Sequence, residues 1–413
     1  MTPTNTAFSV NGRTYKPAQR PIVTICLDGS ADEYLDAAMA RGLMPNLQRM
    51  SIRGFRGMAR GALPSFTNVN NASIVTGVSP AVHGISGNYF YDPESGQEVM
   101  MNSAKYLRAN TLLAAAAQAG RKVAVVTAKD KLREILSHGL TGIGFSAEKA
   151  ADAQLATHGI ADVEKLMGEP APAIYSANAS LFVLRAGVAL VRAGLADLLY
   201  LSFTDYMQHK YEPEAPEVLD FYAAIDLELG HLLELGAVIG ATADHGMNAK
   251  QKLNGEPNVL YLETMLDEKF GGGFRVILPI TDPYVLHHGA LGSFASVYLP
   301  PTAKLMEVSS WLMKLPGVTE VYDRETAAEK LEIPADRIGD LVVMSGRDVV
   351  VGRTTAHHDL SALDGGLRSH GGRYEEMVPF VISEPLNAGY QAKARGDLRN
   401  FDLFDFTING TQL

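Results

Sequence analysis

Three apolar runs of the chain each end in an aspartate, and two of these aspartates have a histidine close behind. They are residues 22–28, 198–205 and 238–244, which end at Asp28, Asp205 and Asp244. Short apolar runs of this kind are typical of buried strands in a parallel sheet, where sites form at the carboxyl ends of the strands. Three carboxylates at one edge repel each other unless a cation lies between them. The pattern therefore predicts a metal centre.

Three histidines extend this set of candidate ligands. His209 follows Asp205 by four residues, His245 follows Asp244 directly, and His370 lies in a Ser-His-Gly-Gly loop. Taken singly, His209 is better explained as a solvated histidine, and the alternative for His370 is an ordinary loop histidine. Six nitrogen and oxygen ligands are too many for one zinc ion with an open position, but they suit two ions with three protein ligands each. Two such ions against three carboxylates keep a net positive charge, which favours a phosphoryl anion as the guest.

A nucleophile is expected on another loop at the same edge. Residues 63–77 have the pattern of a loop that enters a helix, and Thr67 falls near the predicted helix start, where the dipole favours an anion. A hydroxyl near a metal loses its proton readily and becomes a nucleophile. The alternative is that Thr67 is an N-cap residue and nothing more.

Composition narrows the class of protein. The chain has 413 residues and a formal net charge of -10, without a basic arm or stripe, which speaks against nucleic acid as a partner. Its one cysteine, Cys26, excludes an intramolecular disulfide and a zinc site with several thiolates. Because no apolar stretch is long enough for a bilayer and no signal-peptide pattern begins the chain, we expect a cytoplasmic protein without a membrane partner.

Strand and helix patterns alternate through the first half of the chain, which favours an α/β fold: a doubly wound, mostly parallel sheet with helices on both faces. From about Asn254 to Arg353 strand-like segments are mixed with a helical pattern. We therefore expect a smaller inserted α+β cap over 254–353, with residues 1–253 and 354–413 forming the catalytic core. A further apolar strand, Met377 to Ile382, returns to this core. The predicted helices are 32–40, 45–53, 111–119, 130–136, 179–193, 217–235 and 304–315.

As a set, the motifs resemble the alkaline phosphatase superfamily. The motifs are the Asp28 strand, the Thr67 segment with Ser73-Ile74-Val75-Thr76-Gly77, Val82-His83-Gly84-Ile85, Asp205-x-x-x-His209, Asp244-His245-Gly246 and Ser369-His370-Gly371. The likeness is greatest to the nucleotide pyrophosphatase/phosphodiesterase branch and, within it, to enzymes that hydrolyse phosphonoacetate. It implies an alkaline-phosphatase-like fold, two Zn²⁺ per chain, and Thr67 as the nucleophile that attacks phosphorus.

The resemblance also implies the ligand sets. One zinc ion would be held by Asp28, Asp244, His245 and the Thr67 oxygen. The other would be held by Asp205, His209 and His370, and would activate water for a second step. A Cys/Ser-x-Pro-x-Arg sulfatase pattern is absent from the chain.

Two lysines and an asparagine bear on the substrate. The strand 123–127 ends in Ala128-Lys129-Asp130-Lys131, so both lysines are expected at the edge that carries the metals; a solvated helix start would explain them as well. The resemblance implies that Lys129 and Lys131 bind the carboxylate of a small anionic phosphonate, and that Asn88 donates to the phosphoryl group. Cleavage of the P–C bond expels a carbanion, whose charge two ammonium groups stabilise as it develops.

Two alternatives stay open. A phosphodiesterase or nucleotide pyrophosphatase would use the same metals and Thr67 but would need a base-stacking slot in place of the lysines. A metal-stabilised binding protein would keep the ligands and would not need Thr67. The sequence does not place His287, His288, Arg275 or Arg368, and it leaves the oligomeric state open, with a homodimer as one option.

Overall fold

A computed structural model describes residues 6–282, 289–361, 363 and 366–412. Its strands are β1 (Phe8–Val10), β2 (Arg13–Tyr15), β3 (Ile22–Cys26), β4 (Phe55–Arg60), β5 (Tyr89–Asp92), β6 (Gln97–Met100), β7 (Val123–Thr127), β8 (Ile143–Ser146), β9 (Leu198–Ser202), β10 (Val238–Thr242), β11 (Asn248–Ala249), β12 (Val259–Tyr261), β13 (Arg275–Ile277), β14 (Phe294–Tyr298), β15 (Val318–Asp323), β16 (Leu341–Ser345), β17 (Val350–Gly352), β18 (Arg368–Ser369) and β19 (Met377–Ile382).

The α-helices of the described residues are α1 (Asp32–Ala40), α2 (Pro45–Arg53), α3 (Thr67–Thr76), α4 (Pro80–His83), α5 (Leu112–Gln118), α6 (Asp130–Leu136), α7 (Leu155–His158), α8 (Val163–Met167), α9 (Ala177–Arg192), α10 (Tyr206–Lys210), α11 (Pro216–Glu234), α12 (Leu262–Phe270), α13 (Leu305–Leu312), α14 (Arg324–Leu331), α15 (Ala388–Lys393) and α16 (Leu403–Asn409).

A seven-stranded sheet in the order β4-β19-β10-β3-β9-β7-β8 forms the centre of the fold. The five strands from β10 to β8 are parallel, and β19 runs antiparallel to both β10 and β4. The predicted α/β class with a mostly parallel sheet is therefore confirmed. The order also places the three aspartate-ended strands side by side, with β3 between β10 and β9, and it puts the lysine-ended strand β7 next to β9.

Both faces of the sheet are covered, as the neighbours of its central strand β3 show. Val23 and Ile25 of β3 face a core that contains residues of α1, α2, α9 and α11, whereas Ile22 and Cys26 face a core built with α3, α5 and α16. All five residues of β3 are buried. This alternation of neighbours along one strand is the physical signature of a doubly wound sheet.

A second, antiparallel sheet has the order β13-β14-β16-β15. With α12, α13 and α14 it encloses a third core, which also takes in Phe66 and Val69 at the start of α3. This sheet lies within the stretch predicted to be inserted, and the packing brings it against the helix that carries Thr67. The division into core and cap at 254 and 353 stays a prediction.

Most predicted elements are present with small shifts at their ends. The bounds of α1, α2, α6 and β19 agree with the prediction, while α9 begins two residues earlier than expected. Thr111 was expected inside a helix and instead caps it, because its hydroxyl accepts a hydrogen bond from the Ala114 amide. Among the described residues, no helix is both long enough and apolar enough to cross a bilayer.

Candidate metal centre and active site

The carboxyl ends of β3, β9 and β10 bring Asp28, Asp205 and Asp244 to one edge of the sheet, two or three residues beyond each strand. All three side chains are buried. The turns after β3 and β10 orient Asp244: the Gly29 amide donates a hydrogen bond to Asp244 Oδ1 at 3.1 Å, and the His245 amide donates to the same oxygen at 3.0 Å. The predicted convergence of the three aspartates is present in the structure.

The six predicted ligands fall into two adjacent groups. One is Asp28, Asp244 and His245, and the other is Asp205, His209 and His370; within each group the ligand atoms lie within 4.8 Å of one another. The groups meet at two stacked imidazole rings, His245 and His370, whose centroids are 3.5 Å apart. Each group offers three nitrogen or oxygen ligands, which is a donor set that suits a divalent cation.

The histidine tautomers fit such a cation. His209 Nδ1 lies 2.8 Å from the carbonyl oxygen of Arg368, His245 Nδ1 lies 2.8 Å from that of Gly246, and His370 Nδ1 lies 2.7 Å from that of Ser65. A carbonyl oxygen only accepts, so each Nδ1 carries the donated proton, and in the neutral ring Nε2 keeps its lone pair for a metal.

The carboxylates face these lone pairs at close range. His245 Nε2 lies 3.3 Å from Asp28 Oδ1 and 3.6 Å from Asp244 Oδ2, and His209 Nε2 lies 2.9 Å from Asp205 Oδ2. Among the described residues, Asp28 Oδ1 is buried and receives no hydrogen bond. Buried acceptors that point at one another need a cation or a proton between them, so the residues fit a metal ion.

The pKa values of Asp28 and His245 reflect the close approach of these buried carboxylates. Burial, followed by the charges of Asp205 and Asp244, raises the pKa of Asp28 well above its ordinary value. Burial alone would lower the pKa of His245, but Asp244 and Asp28 outweigh it and raise the pKa to about 10. A proton on His245 thus supplies, in part, the positive charge that a bound cation would supply.

Thr67 is the first residue of α3, and its N-terminal neighbour Phe66 is the N-cap residue. The structure therefore contradicts the alternative that Thr67 is itself an N-cap. Its Oγ1 lies 3.5 Å from His245 Nε2, which places the hydroxyl beside the Asp28–Asp244–His245 group. A hydroxyl at a helix start and beside a cation site is suited to attack an anion.

A pocket opens next to Thr67 and contains the three residues predicted to bind substrate, Asn88, Lys129 and Lys131. Asn88 Oδ1 accepts a hydrogen bond from the Asn68 amide at 3.1 Å, so the donor protons of this side chain are on Nδ2. Lys129 Nζ lies 3.8 Å from Asp205 Oδ1. Burial alone would lower the pKa of Lys129, but Asp205 and Asp28 raise it, which keeps the ammonium charged.

Sequence reasoning missed a carboxylate in the same pocket. Asp282 lines it, and its two oxygens lie 2.9 and 3.2 Å from Lys131 Nζ. Asp282 follows Lys131 by 151 residues, so no local sequence pattern predicts that the two residues pair.

The structure places Arg368 and Arg275, whose positions the sequence did not predict. Arg368 is buried and donates to the carbonyl oxygen of Gln208 and to the hydroxyl of Tyr34, each at 2.9 Å, so it holds the segment before His209. Arg275 lies 4.4 Å from the ring centre of Tyr91. His287 and His288 lie outside the described residues.

Asn71 is a second residue that sequence reasoning missed. Its Nδ2 donates to the Thr67 carbonyl oxygen at 3.0 Å and to Asp244 Oδ2 at 3.4 Å. Its Oδ1 accepts from the hydroxyls of Tyr200 and Ser202, both at 2.8 Å. One buried amide therefore joins the helix of Thr67, the strand β9 and a candidate metal ligand. The signal that marks Asn71 is its burial, and burial of a single helical asparagine cannot be read from the sequence.

Glu375 is a third. Its Oε1 accepts from Lys250 Nζ at 2.8 Å, its Oε2 accepts from the Gly372 amide at 3.1 Å, and its carbonyl oxygen accepts from the Gly246 amide at 2.8 Å. Gly246 follows His245, and Gly372 lies two residues after His370. Glu375 thus ties together the loops that carry one histidine of each candidate metal group.

The class of protein follows from the fold and the site together. An open sheet of this order, with two adjacent three-ligand groups and a threonine at a helix start beside them, defines an alkaline-phosphatase-like protein with a candidate metal centre. The family model of type I phosphodiesterase/nucleotide pyrophosphatase matches residues 22–372, and the chain belongs to this family.

Solved structures support the same placement. The chain is 48% identical to phosphonoacetate hydrolase from Sinorhizobium meliloti 1021, in structures with phosphonoformate and with phosphonoacetate; the match covers 98% of this chain and 99% of that one, with a TM-score of 0.93. Human ectonucleotide pyrophosphatase/phosphodiesterase 5 shares the fold, with 17% identity, a TM-score of 0.62 and coverage of 95% and 96%.

Curated sequences match over a short segment. An uncharacterised pyrophosphatase/phosphodiesterase of Schizosaccharomyces pombe is 37% identical over 81 residues, which are 19% of this chain and 16% of that protein. The matched segment is therefore a small part of the relative's own length.

Proposed function

We propose that this chain is an enzyme that hydrolyses the P–C bond of phosphonoacetate, releasing acetate and phosphate, with two Zn²⁺ per chain. The observation that carries the proposal is a pocket that is lined both by Thr67 and by two ammonium groups, those of Lys129 and Lys131. A ligand with a phosphonate and a carboxylate one carbon apart needs a nucleophile for its phosphorus and cations for its carboxylate, and this lining offers both. The likeness to the S. meliloti enzyme over nearly the whole chain supports the same substrate.

In the first step, Thr67 Oγ1 forms a bond to phosphorus while the P–C bond breaks, and the Thr67 hydroxyl proton is released. The electron pair of the P–C bond moves onto the methylene carbon and into the carboxylate as an enediolate. Lys129 and Lys131 stabilise this negative charge as it develops, and Asn88 Nδ2 donates to a phosphoryl oxygen. The carbanion then takes a proton from water to become acetate.

In the second step, water forms a bond to phosphorus and the bond between phosphorus and Thr67 Oγ1 breaks. Phosphate leaves, and Thr67 recovers its proton. The phospho-threonine divides one difficult displacement into two easier ones. Asn71 and the start of α3 keep the threonine in place during both steps.

When bound, the two cations would neutralise charge and act as Lewis acids, one held by Asp28, Asp244 and His245 together with Thr67, the other by Asp205, His209 and His370. Zinc is the metal proposed because imidazole and carboxylate ligands in groups of three are typical of catalytic zinc. The buried, unmatched acceptors of these groups support two ions rather than one.

The test is phosphate release from phosphonoacetate by protein that has been loaded with Zn²⁺, with a nucleotide diester as a parallel substrate. We expect phosphonoacetate to be cleaved and the diester to be a poor substrate, because the rings of Phe90 and Tyr91, which follow Asn88 along the chain, pack against those of Tyr106 and Tyr298. Cleavage of the diester alone would support the phosphodiesterase alternative. Binding of Zn²⁺ without any phosphoryl hydrolysis would support a binding protein.

A further inference from the structure

The pocket that contains Lys131 also contains a negative charge, that of Asp282. Asp282 holds Lys131 Nζ through both of its oxygens, at 2.9 and 3.2 Å. The side chain of Asp282 is only 16% exposed, so water screens its charge poorly, whereas that of Lys131 is 32% exposed and can be reached from the pocket. A ligand carboxylate that approaches Lys131 therefore meets an ammonium group that already has an anionic partner.

The second lysine has a different principal partner, and Asp282 acts on it more weakly. Lys129 Nζ faces Asp205, a candidate metal ligand, at 3.8 Å. A cation in the Asp205–His209–His370 group would compensate the charge of Asp205 and release Lys129 for a ligand. Asp282 belongs to neither group of metal ligands, so its charge stays opposed to an incoming carboxylate.

We infer that Asp282 competes with the carboxylate of substrate and product for Lys131, and so promotes the release of the carboxylate product. The inference rests on the proposed function. Two carboxylates on one ammonium group repel each other, and this repulsion weakens the binding of a carboxylate ligand by a modest factor. After the P–C bond has broken, acetate is no longer anchored through phosphorus, and Asp282 then regains Lys131.

The experiment measures binding without turnover. Asp282→Asn is made in a Thr67→Ala background, loaded with Zn²⁺, and the affinities for phosphonoacetate and for inorganic phosphate are measured by calorimetry. We expect phosphonoacetate to bind about fivefold more tightly, as is typical for the loss of a partly exposed charge repulsion. Inorganic phosphate lacks the carboxylate, and its affinity should not change. In protein with Thr67 intact, acetate should inhibit phosphonoacetate hydrolysis by the Asp282→Asn variant about fivefold more strongly than hydrolysis by the unmodified protein.

Two variants serve as controls. Asp220→Asn removes the same formal charge from an exposed position of α11 and should leave both affinities unchanged. Asp282→Ser removes the charge with a smaller side chain, and it replaces Asp282→Asn if that variant does not fold, as judged by its thermal unfolding.

Weaker binding of phosphonoacetate to the Asp282 variants would overturn the inference and would show that Asp282 positions Lys131 for the substrate. Unchanged binding, or an equal change for phosphate and phosphonoacetate, would overturn it as well. These results are separate from the failure of the proposed function, which would appear as absent phosphonoacetate hydrolysis by the unmodified protein, because the binding ratio does not require turnover.

Discussion

Replacement of Glu375 by glutamine should destabilise the protein and weaken metal binding at the candidate metal centre. The carboxylate of Glu375 and the ammonium group of Lys250 lie 2.8 Å apart, and both side chains are 0% exposed. Glutamine keeps the size of the side chain and removes the charge, so the Lys250 ammonium group is left buried without an anion. A buried charge that loses its partner costs about 3–5 kcal/mol of the free energy of unfolding.

The partner variant separates this charge effect from the other contacts of Glu375. Lys250→Met combined with Glu375→Gln removes both charges, and such replacements are often neutral in stability. Glutamine still offers an acceptor for the Asn248 amide group, which lies 2.7 Å from Glu375 Oε1. The double variant should therefore recover all but about 2 kcal/mol, the ordinary contribution of two hydrogen bonds, because the Gly372 amide and the Arg347 carbonyl oxygen each lose a partner.

Equilibrium unfolding in denaturant measures the four proteins of this double-mutant cycle, and a chelator titration measures how firmly each retains Zn²⁺. We expect Glu375→Gln to lose zinc more readily, because Glu375 joins the loops after His245 and His370. The exposed pair of Lys252 and Glu256, 3.7 Å apart and 53% and 66% exposed, is the matched control and should show little coupling. Additive losses in the Lys250–Glu375 cycle, or an unchanged chelator titration for Glu375→Gln, would refute the reasoning.

Three further predictions concern the nucleophile, the lysines and a buried histidine. Thr67→Ala should lower phosphate release by roughly 10⁴-fold or more while zinc is still bound, and equal activity would exclude Thr67 as the nucleophile. Lys129→Ala with Lys131→Ala should lower P–C cleavage by about 10²–10³-fold or more and spare an activated aryl ester, as measured by parallel assays; persistence of both activities would contradict the carboxylate assignment. Burial lowers the pKa of His83 to about 3, from an ordinary value of 6.5. Between these values the unfolded chain binds the extra proton, so stability falls as the pH drops below 6.5, by about 1.4 kcal/mol per pH unit. His83→Gln should make denaturant unfolding less dependent on pH between 6 and 5, and an unchanged dependence would contradict the neutral, buried imidazole.

Local sequence patterns determined much of the fold. A strand that is covered on both faces must be apolar throughout, and a helix must repeat its apolar residues with the helical period, so β3, β9, β10, α1 and α2 could be predicted from neighbouring residues alone. Helix ends were less certain, since a residue such as Thr111 serves equally well inside a helix and as its cap.

The three aspartates among the candidate metal ligands were also predictable, because each follows a strand of the parallel sheet by two or three residues and parallel strands end at one edge. Asp28, Asp205 and Asp244 needed only the direction of their strands to be brought together. The order of the strands did not follow from local patterns: that β3 lies between β10 and β9 depends on pairing between segments far apart in the chain.

Only the tertiary structure decided which charges meet. Asp282 reaches Lys131 across 151 residues, and Glu375 reaches Lys250 across 125. Such pairs leave no periodic pattern, because each residue is selected by the groups that it contacts in space and not by its neighbours along the chain. The sequence by itself therefore determined which candidate ligands and which candidate nucleophile gather at the sheet edge. The tertiary structure decided which other side chains contact them.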